Sequence, residues 1–160
     1  MERIACFILL VTYFVVQSNG LTEANYYTSP MNKIYYIEPQ NKYNWFGSLT
    51  ECTRMNMSII TVDSAEKTKD LNDVINTNFK DVEKPLLYIG GSDMADNGKY
   101  VWHSTGNEFV YTNWAEYEPN NFEDDEHCVH IGLYNDGTWN DVKCSLKLGF
   151  ICEVNKNEPQ

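Results

Sequence analysis

Apolar residues open this chain as one long run, fall into helical spacing over its first half, and then break into short β-rich stretches. The opening run, Ile4 to Val16, follows Arg3 and precedes the small residues Ser18-Asn19-Gly20, the pattern of a secretory signal peptide over residues 1–20. It is short for a bilayer span, which weighs against its other reading as an uncleaved signal anchor. Residues 21–33 show no clear periodicity and read as an N-terminal arm. Ile34-Tyr35-Tyr36-Ile37 is aromatic and β-branched, hence a strand, which Pro39 is expected to end. Asn44 can cap a helix from Trp45 to Met55, where Phe46, Leu49 and Cys52 or Thr53 recur at three- and four-residue spacing. Ser58 to Val62 fits a short strand, and Asp63 with Glu66 forms a capping box for a second helix with Leu71, Val74, Ile75 and Phe79 on one face. After Pro85 the pattern turns to strands: Leu86–Ile89, Tyr100–Trp102, Cys128–Leu133, Thr138–Val142 and Gly149–Val154. Helices first and strands afterwards is the α+β order rather than alternating βαβ. One long irregular segment, Ser104 to His127, interrupts the strands, and a loop of that length inside a compact domain is usually functional.

Composition narrows this picture. The 160 residues suffice for one domain with a core, 34–155, followed by a polar tail at 156–160. The formal charge of -11, with no basic stripe, removes the main source of affinity for a phosphate backbone and disfavours an anionic membrane surface. Nucleic acid is therefore not the partner, and no stretch after the leader approaches transmembrane length. Secretion makes the leader's Cys6 irrelevant and leaves Cys52, Cys128, Cys144 and Cys152, an even set that suggests two disulfides with three connectivities open. None of their spacings is C-x-x-C, which argues against a thiol metal site.

Charge becomes chemistry in the long loop. Between Glu116 and Glu126 stand Glu116, Glu118, Glu123, Asp124, Asp125 and Glu126, with no Lys or Arg among them. An ordered loop of that kind needs counter-charge, because like charges at contact repel by about 1 kcal/mol even in water. Glu118, Asn120, Glu126, Asn140 and Asp141 are hard oxygen donors, suited to Ca2+ with its six to eight flexible contacts. Magnesium prefers tighter geometry and more retained water. Zinc would want His127 and His130, which lie three apart on a strand pattern and so fall on opposite faces. Pro119 permits a cis peptide bond after Glu118, which would turn Glu118 and Asn120 toward one ion; an ordinary trans turn is its plain alternative, and the company of Asn140-Asp141 favours cis. Five protein ligands leave calcium under-coordinated, and vicinal sugar hydroxyls can fill the gap while donating to carboxylates and accepting from amides.

Leu87-Tyr88-Ile89-Gly90-Gly91, Glu118-Pro119-Asn120, Trp139-Asn140-Asp141 and the four-cysteine frame together resemble a C-type lectin domain of the short form, similar to the single-domain secreted lectins of insects. The resemblance implies an α+β fold of two helices packed on short antiparallel sheets with a long calcium-binding loop. It implies a calcium site on Glu118, Asn120, Glu126, Asn140 and Asp141, the same residues hydrogen-bonding the sugar. The E-P-N form implies glycans of mannose, fucose or N-acetylglucosamine type, where Q-P-D would imply galactose. The implied disulfides are Cys52–Cys152 and Cys128–Cys144. An auxiliary calcium site would fall on Asp93, Asn97, Asn121, Glu126 and His127, and its missing carboxylates make it weak or empty. Asn56-Met57-Ser58 is a glycosylation sequon whose Asn56 could equally serve as a left-handed helix cap. Tyr117 or Phe122 could stack on a sugar. Two other functions stand beside a sugar binder. One is a protein-binding module of the same fold, although such relatives usually lose E-P-N or W-N-D. The other is a glycosidase using Glu118 and Glu126, which bound calcium would hold ionised and unable to act as an acid. No heptad or collagen-like segment is present, so avidity would come from self-association or a partner.

Overall fold

The computed structural model describes residues 25–80, 83–132 and 137–155; the expected signal peptide and the tail at 156–160 lie outside them. The elements run β1 (Tyr26–Thr28), β2 (Ile34–Tyr43), α1 (Trp45–Arg54), β3 (Met57–Ile59), α2 (Ala65–Asn78), β4 (Leu87–Ser92), β5 (Val101–Trp102), a 3-10 turn at Phe122–Asp124, β6 (Cys128–Ile131), β7 (Trp139–Val142) and β8 (Leu148–Val154). The sheet order is β1-β2-β8-β4-β6-β7, with β3 added to β8 and β5 to β4. All pairings are antiparallel except β4 with β8. The result is the α+β architecture expected from the element order. Cys52–Cys152 ties α1 to β8, and Cys128–Cys144 ties the start of β6 to the residues just beyond β7.

Three local expectations need correction. The second helix is capped by Ser64, whose hydroxyl accepts from the Lys67 amide at 3.2 Å; Asp63 stands one residue too early for that bond. Pro39 does not end β2. The strand continues to Tyr43 because the ladder with β8 slips between Glu38 and Tyr43, and a proline at such an irregularity removes no needed donor. The stretch read as an arm contains β1, whose Tyr26 and Tyr27 pair with Tyr36 and Tyr35. Leu133, which the last-but-two strand was expected to include, lies outside the described residues.

Two features of the core position the long loop. Ile37, Ile60, Leu71, Val74, Leu87, Ile89, Val129 and Ile151 form the main apolar cluster between α2 and the sheet, and Trp102 and Trp139 extend it toward the loop. Gly91 in β4 is required there: a Cβ would come 2.5 Å from the ring of Phe109 and 2.9 Å from Val129. Phe109 thus closes on the sheet and stacks on Trp102, with ring centroids 4.1 Å apart.

Candidate functional site

Trp139 organises the loop from within. It is fully buried, with the rings of Trp102, Phe109, Tyr111 and Trp114 all between 5.5 and 5.7 Å from its own. Its main chain accepts from the Ala115 amide at 2.9 Å and donates to Asn113 at 2.8 Å. Residues 113–115 are therefore laid beside β7, and the chain that follows, Glu116 to Glu118, is delivered next to Asn140 and Asp141. Tyr117 adopts a left-handed φ of 68°, Glu118 bonds back to Ala115, and the Glu118–Pro119 peptide bond is cis.

Asp141 is the hub of what results. It is fully buried. One carboxyl oxygen accepts from the Asn120 amide at 3.1 Å, and the other from the Asn121 amide at 2.8 Å and the Tyr100 hydroxyl at 3.2 Å. Asn120 in turn donates its side-chain amide to Glu118 at 3.0 Å. Asn140 faces His130 across the β6–β7 ladder, its Nδ2 donating to His130 Nε2 at 3.2 Å and to the main-chain oxygen of Asp141. That leaves the oxygen of its amide as the end it can offer a cation. Burial pushes the pKa of His130 down, in keeping with a neutral ring whose Nδ1 donates to Ile131. Glu126 reaches the Phe122 amide at 3.2 Å.

The electrostatics mark this group as short of positive charge. Burial, then the Asp141 carboxyl beside it, then the charge of Glu126, push the Glu118 pKa up to about 7 against the pull of the Asn120 amide. Burial pushes Glu126 up as well, and Asp141 adds to it. Glu118 Oε2 is buried with no hydrogen-bond partner among the described residues. A cation with hard-oxygen preference fits this donor set: it would give the orphaned oxygen a partner and lower the cost of three crowded acids. Among the described residues no three His, Cys, Asp or Glu side chains converge as a ready metal cluster. The Asp141 oxygens are turned to two main-chain amides and the Tyr100 hydroxyl, so a cation site here would draw on Asn oxygens and a carbonyl as well as on Glu118 and Glu126.

Glu123, Asp124 and Asp125 read in the sequence as acids without counter-charge, and for Glu123 and Asp125 the structure differs. Lys143 Nζ lies 2.7 Å from Glu123 and 3.2 Å from Asp125. Lys143 and Tyr100 are the neighbours that sequence reasoning missed. Lys143 stands two residues from Asp141 in the chain, just past the end of β7. Tyr100, 41 residues from Asp141, left no local signal.

The residues of the expected auxiliary site are engaged with one another. His127 Nδ1 is 3.0 Å from Asp93, whose other oxygen accepts from the Gly98 amide at 2.7 Å. Asn121 donates to Asn97 at 3.4 Å and accepts from the Glu126 amide at 3.0 Å. Tyr117 and Phe122 are both exposed, flanking Glu118-Pro119-Asn120 in the chain. Asn56 is exposed and left-handed, just past Met55, the C-cap of α1.

Against known proteins, the family model described as the lectin C-type domain matches residues 41–154. The chain belongs to the C-type lectin family. The family and the named relatives are lectins, which are non-enzymatic, and this removes the glycosidase reading. The lectin is 36% identical over 130 residues to lectin subunit alpha of Sarcophaga peregrina, covering 76% of this chain but only 44% of that protein. It is 36% identical over 120 residues to salivary C-type lectin 1 of Aedes albopictus, covering 69% of this chain and 75% of that protein. Among solved structures it resembles the mouse scavenger receptor C-type lectin carbohydrate-recognition domain, with TM-score 0.70, 22% identity and 86% and 98% of the two chains covered. It also resembles the cow C-type carbohydrate-recognition domain of CD23, solved in the presence of a GlcNAc2Man3 oligosaccharide, with TM-score 0.63, 25% identity and 76% and 86% covered. No helix among the described residues is long and apolar enough to cross a membrane.

Proposed function

We propose that this lectin is a secreted, calcium-dependent binder of mannose-type sugars, using Glu118, Asn120, Glu126, Asn140 and Asp141 to hold the ion and to hydrogen-bond the glycan. The observation that carries the reading is the buried, unpartnered Glu118 Oε2 in a set made only of hard oxygen donors. When bound, calcium supplies open positions for the oxygens of vicinal hydroxyls. The Glu118 and Glu126 carboxylates accept the hydroxyl protons, and the Asn120 and Asn140 amides donate to the remaining lone pairs. The E-P-N sequence supports mannose, fucose or N-acetylglucosamine over galactose, and the mannose-containing oligosaccharide named with the cow domain agrees in kind. Two disulfides support an oxidising, extracellular compartment.

The test is retention on immobilised mannan. With millimolar calcium the lectin is retained, and it elutes with a chelator or with free mannose. A flow-through in calcium, or retention that a chelator leaves unchanged, would overturn the reading; in the latter case the protein-binding alternative gains.

A further inference from the structure

The loop from Asn121 to Glu126 holds three non-glycine residues in the left-handed region: Asn121 at φ 43°, Glu123 at 59° and Asp124 at 56°. Side-chain-bearing residues adopt that region at a cost and persist there when their surroundings over-determine them. Asn121 is so fixed, through its amide on Asp141 and its side-chain oxygen on the Glu126 amide. Within the arch, Asp124 bonds to Asn121 and Asp125 to Phe122 through the main chain, the second a long 3.4 Å, and the Phe122 amide donates to the Glu126 carboxylate at 3.2 Å. Glu123 and Asp125, between those bonds, are gripped together by Lys143. Lys143 is itself well founded, between the end of β7 and Cys144, whose disulfide to Cys128 closes the base of the loop.

We propose that Lys143 is a positioning residue: by clamping Glu123 and Asp125 it sets the arch that keeps Glu126 among the ion-binding residues before any ion arrives. The proposal rests on the calcium reading above. It also predicts a sign opposite to that of simple charge repulsion. A cation fixed near a cation site repels the ion, so removing Lys143 should tighten calcium if charge were all that mattered. Its field does reach Glu126, where it offsets part of the effect of burial. As a clamp, its removal frees the arch and weakens calcium instead.

The test compares the parent with Lys143→Met, Lys143→Arg and the double variant Glu123→Gln, Asp125→Asn. Amide hydrogen exchange is followed at residues 121–126 in chelator, and calcium affinity is measured by calorimetry at fixed ionic strength. Lys143→Met and the double variant are expected to exchange faster across the arch in chelator. Calcium binding of Lys143→Met should weaken about three- to tenfold, the scale of two exposed ion pairs, while Lys143→Arg stays near the parent in both measurements. Unchanged arch exchange in Lys143→Met, or calcium affinity that is unchanged or tighter, would overturn the proposal. A parent that binds no calcium would sink the calcium reading, and the exchange arm would still support or overturn the clamp.

Discussion

Asp141 is matched by three donors, two of them main-chain amides of the segment it must hold, so the acid shapes the loop as much as it could serve an ion. The same economy of buried polar groups governs the tyrosines. Tyr35 donates to the buried Asp70 at 3.0 Å, and Tyr88 donates to the main-chain oxygens of Lys143 and Leu146. Burial pushes both phenols well above their ordinary range, with Asp70 adding to the effect at Tyr35. A phenol whose folded pKa is raised favours folding below the unfolded value of about 10, and that contribution fades as pH rises beyond it. The ultraviolet phenolate signal of Tyr35→Phe and Tyr88→Phe should therefore match the parent near pH 10, with the missing absorbance appearing only as alkali unfolds the chain. A loss of phenolate signal at pH 10 in the still-folded variants would contradict this. At this scale the ligand candidates were legible, because Glu118-Pro119-Asn120 and Asn140-Asp141 are local strings. The side-chain donor to Asp141 was not, since Tyr100 meets it only through tertiary pairing.

At the scale of elements, the helix entry offers a direct comparison between two adjacent residues. Ser64 makes the capping bond and Asp63 is exposed, so Ser64→Ala should cost about 1 kcal/mol of unfolding free energy. Asp63→Ala should stay within about 0.5 kcal/mol, and denaturant melts of the two variants decide between the caps. The helices were readable because their apolar spacing is long enough to repeat. β1 was not, because three residues carry no period and Tyr26–Thr28 becomes a strand only by pairing with β2. β2 outran its proline for a related reason: the irregularity that tolerates Pro39 belongs to the pair of strands and not to the sequence of one.

Over the whole molecule, the sheet order puts β6 and β7 at one edge, and the loop that follows β5 folds back onto them through Trp139. Asn140 and Asp141 thus come from a fixed ladder and Glu118, Asn120 and Glu126 from the loop, so the candidate site forms only where a rigid and a pliable part meet. Cys52–Cys152, joining residues 100 apart, has a consequence for wear. Any single cut between those cysteines leaves the two pieces covalently joined, and one within residues 129–143 is bridged a second time by Cys128–Cys144. Nicking by a protease at the exposed acids Asp124 and Asp125 should therefore give one band on a non-reducing gel and two after reduction. Separation of the pieces without reductant would show that the bridge does not span the cut. A lectin cut in this way would keep its mass and its outline while losing the arch that carries Glu126, so its age in a protease-rich fluid would be invisible to any assay that only counts intact molecules.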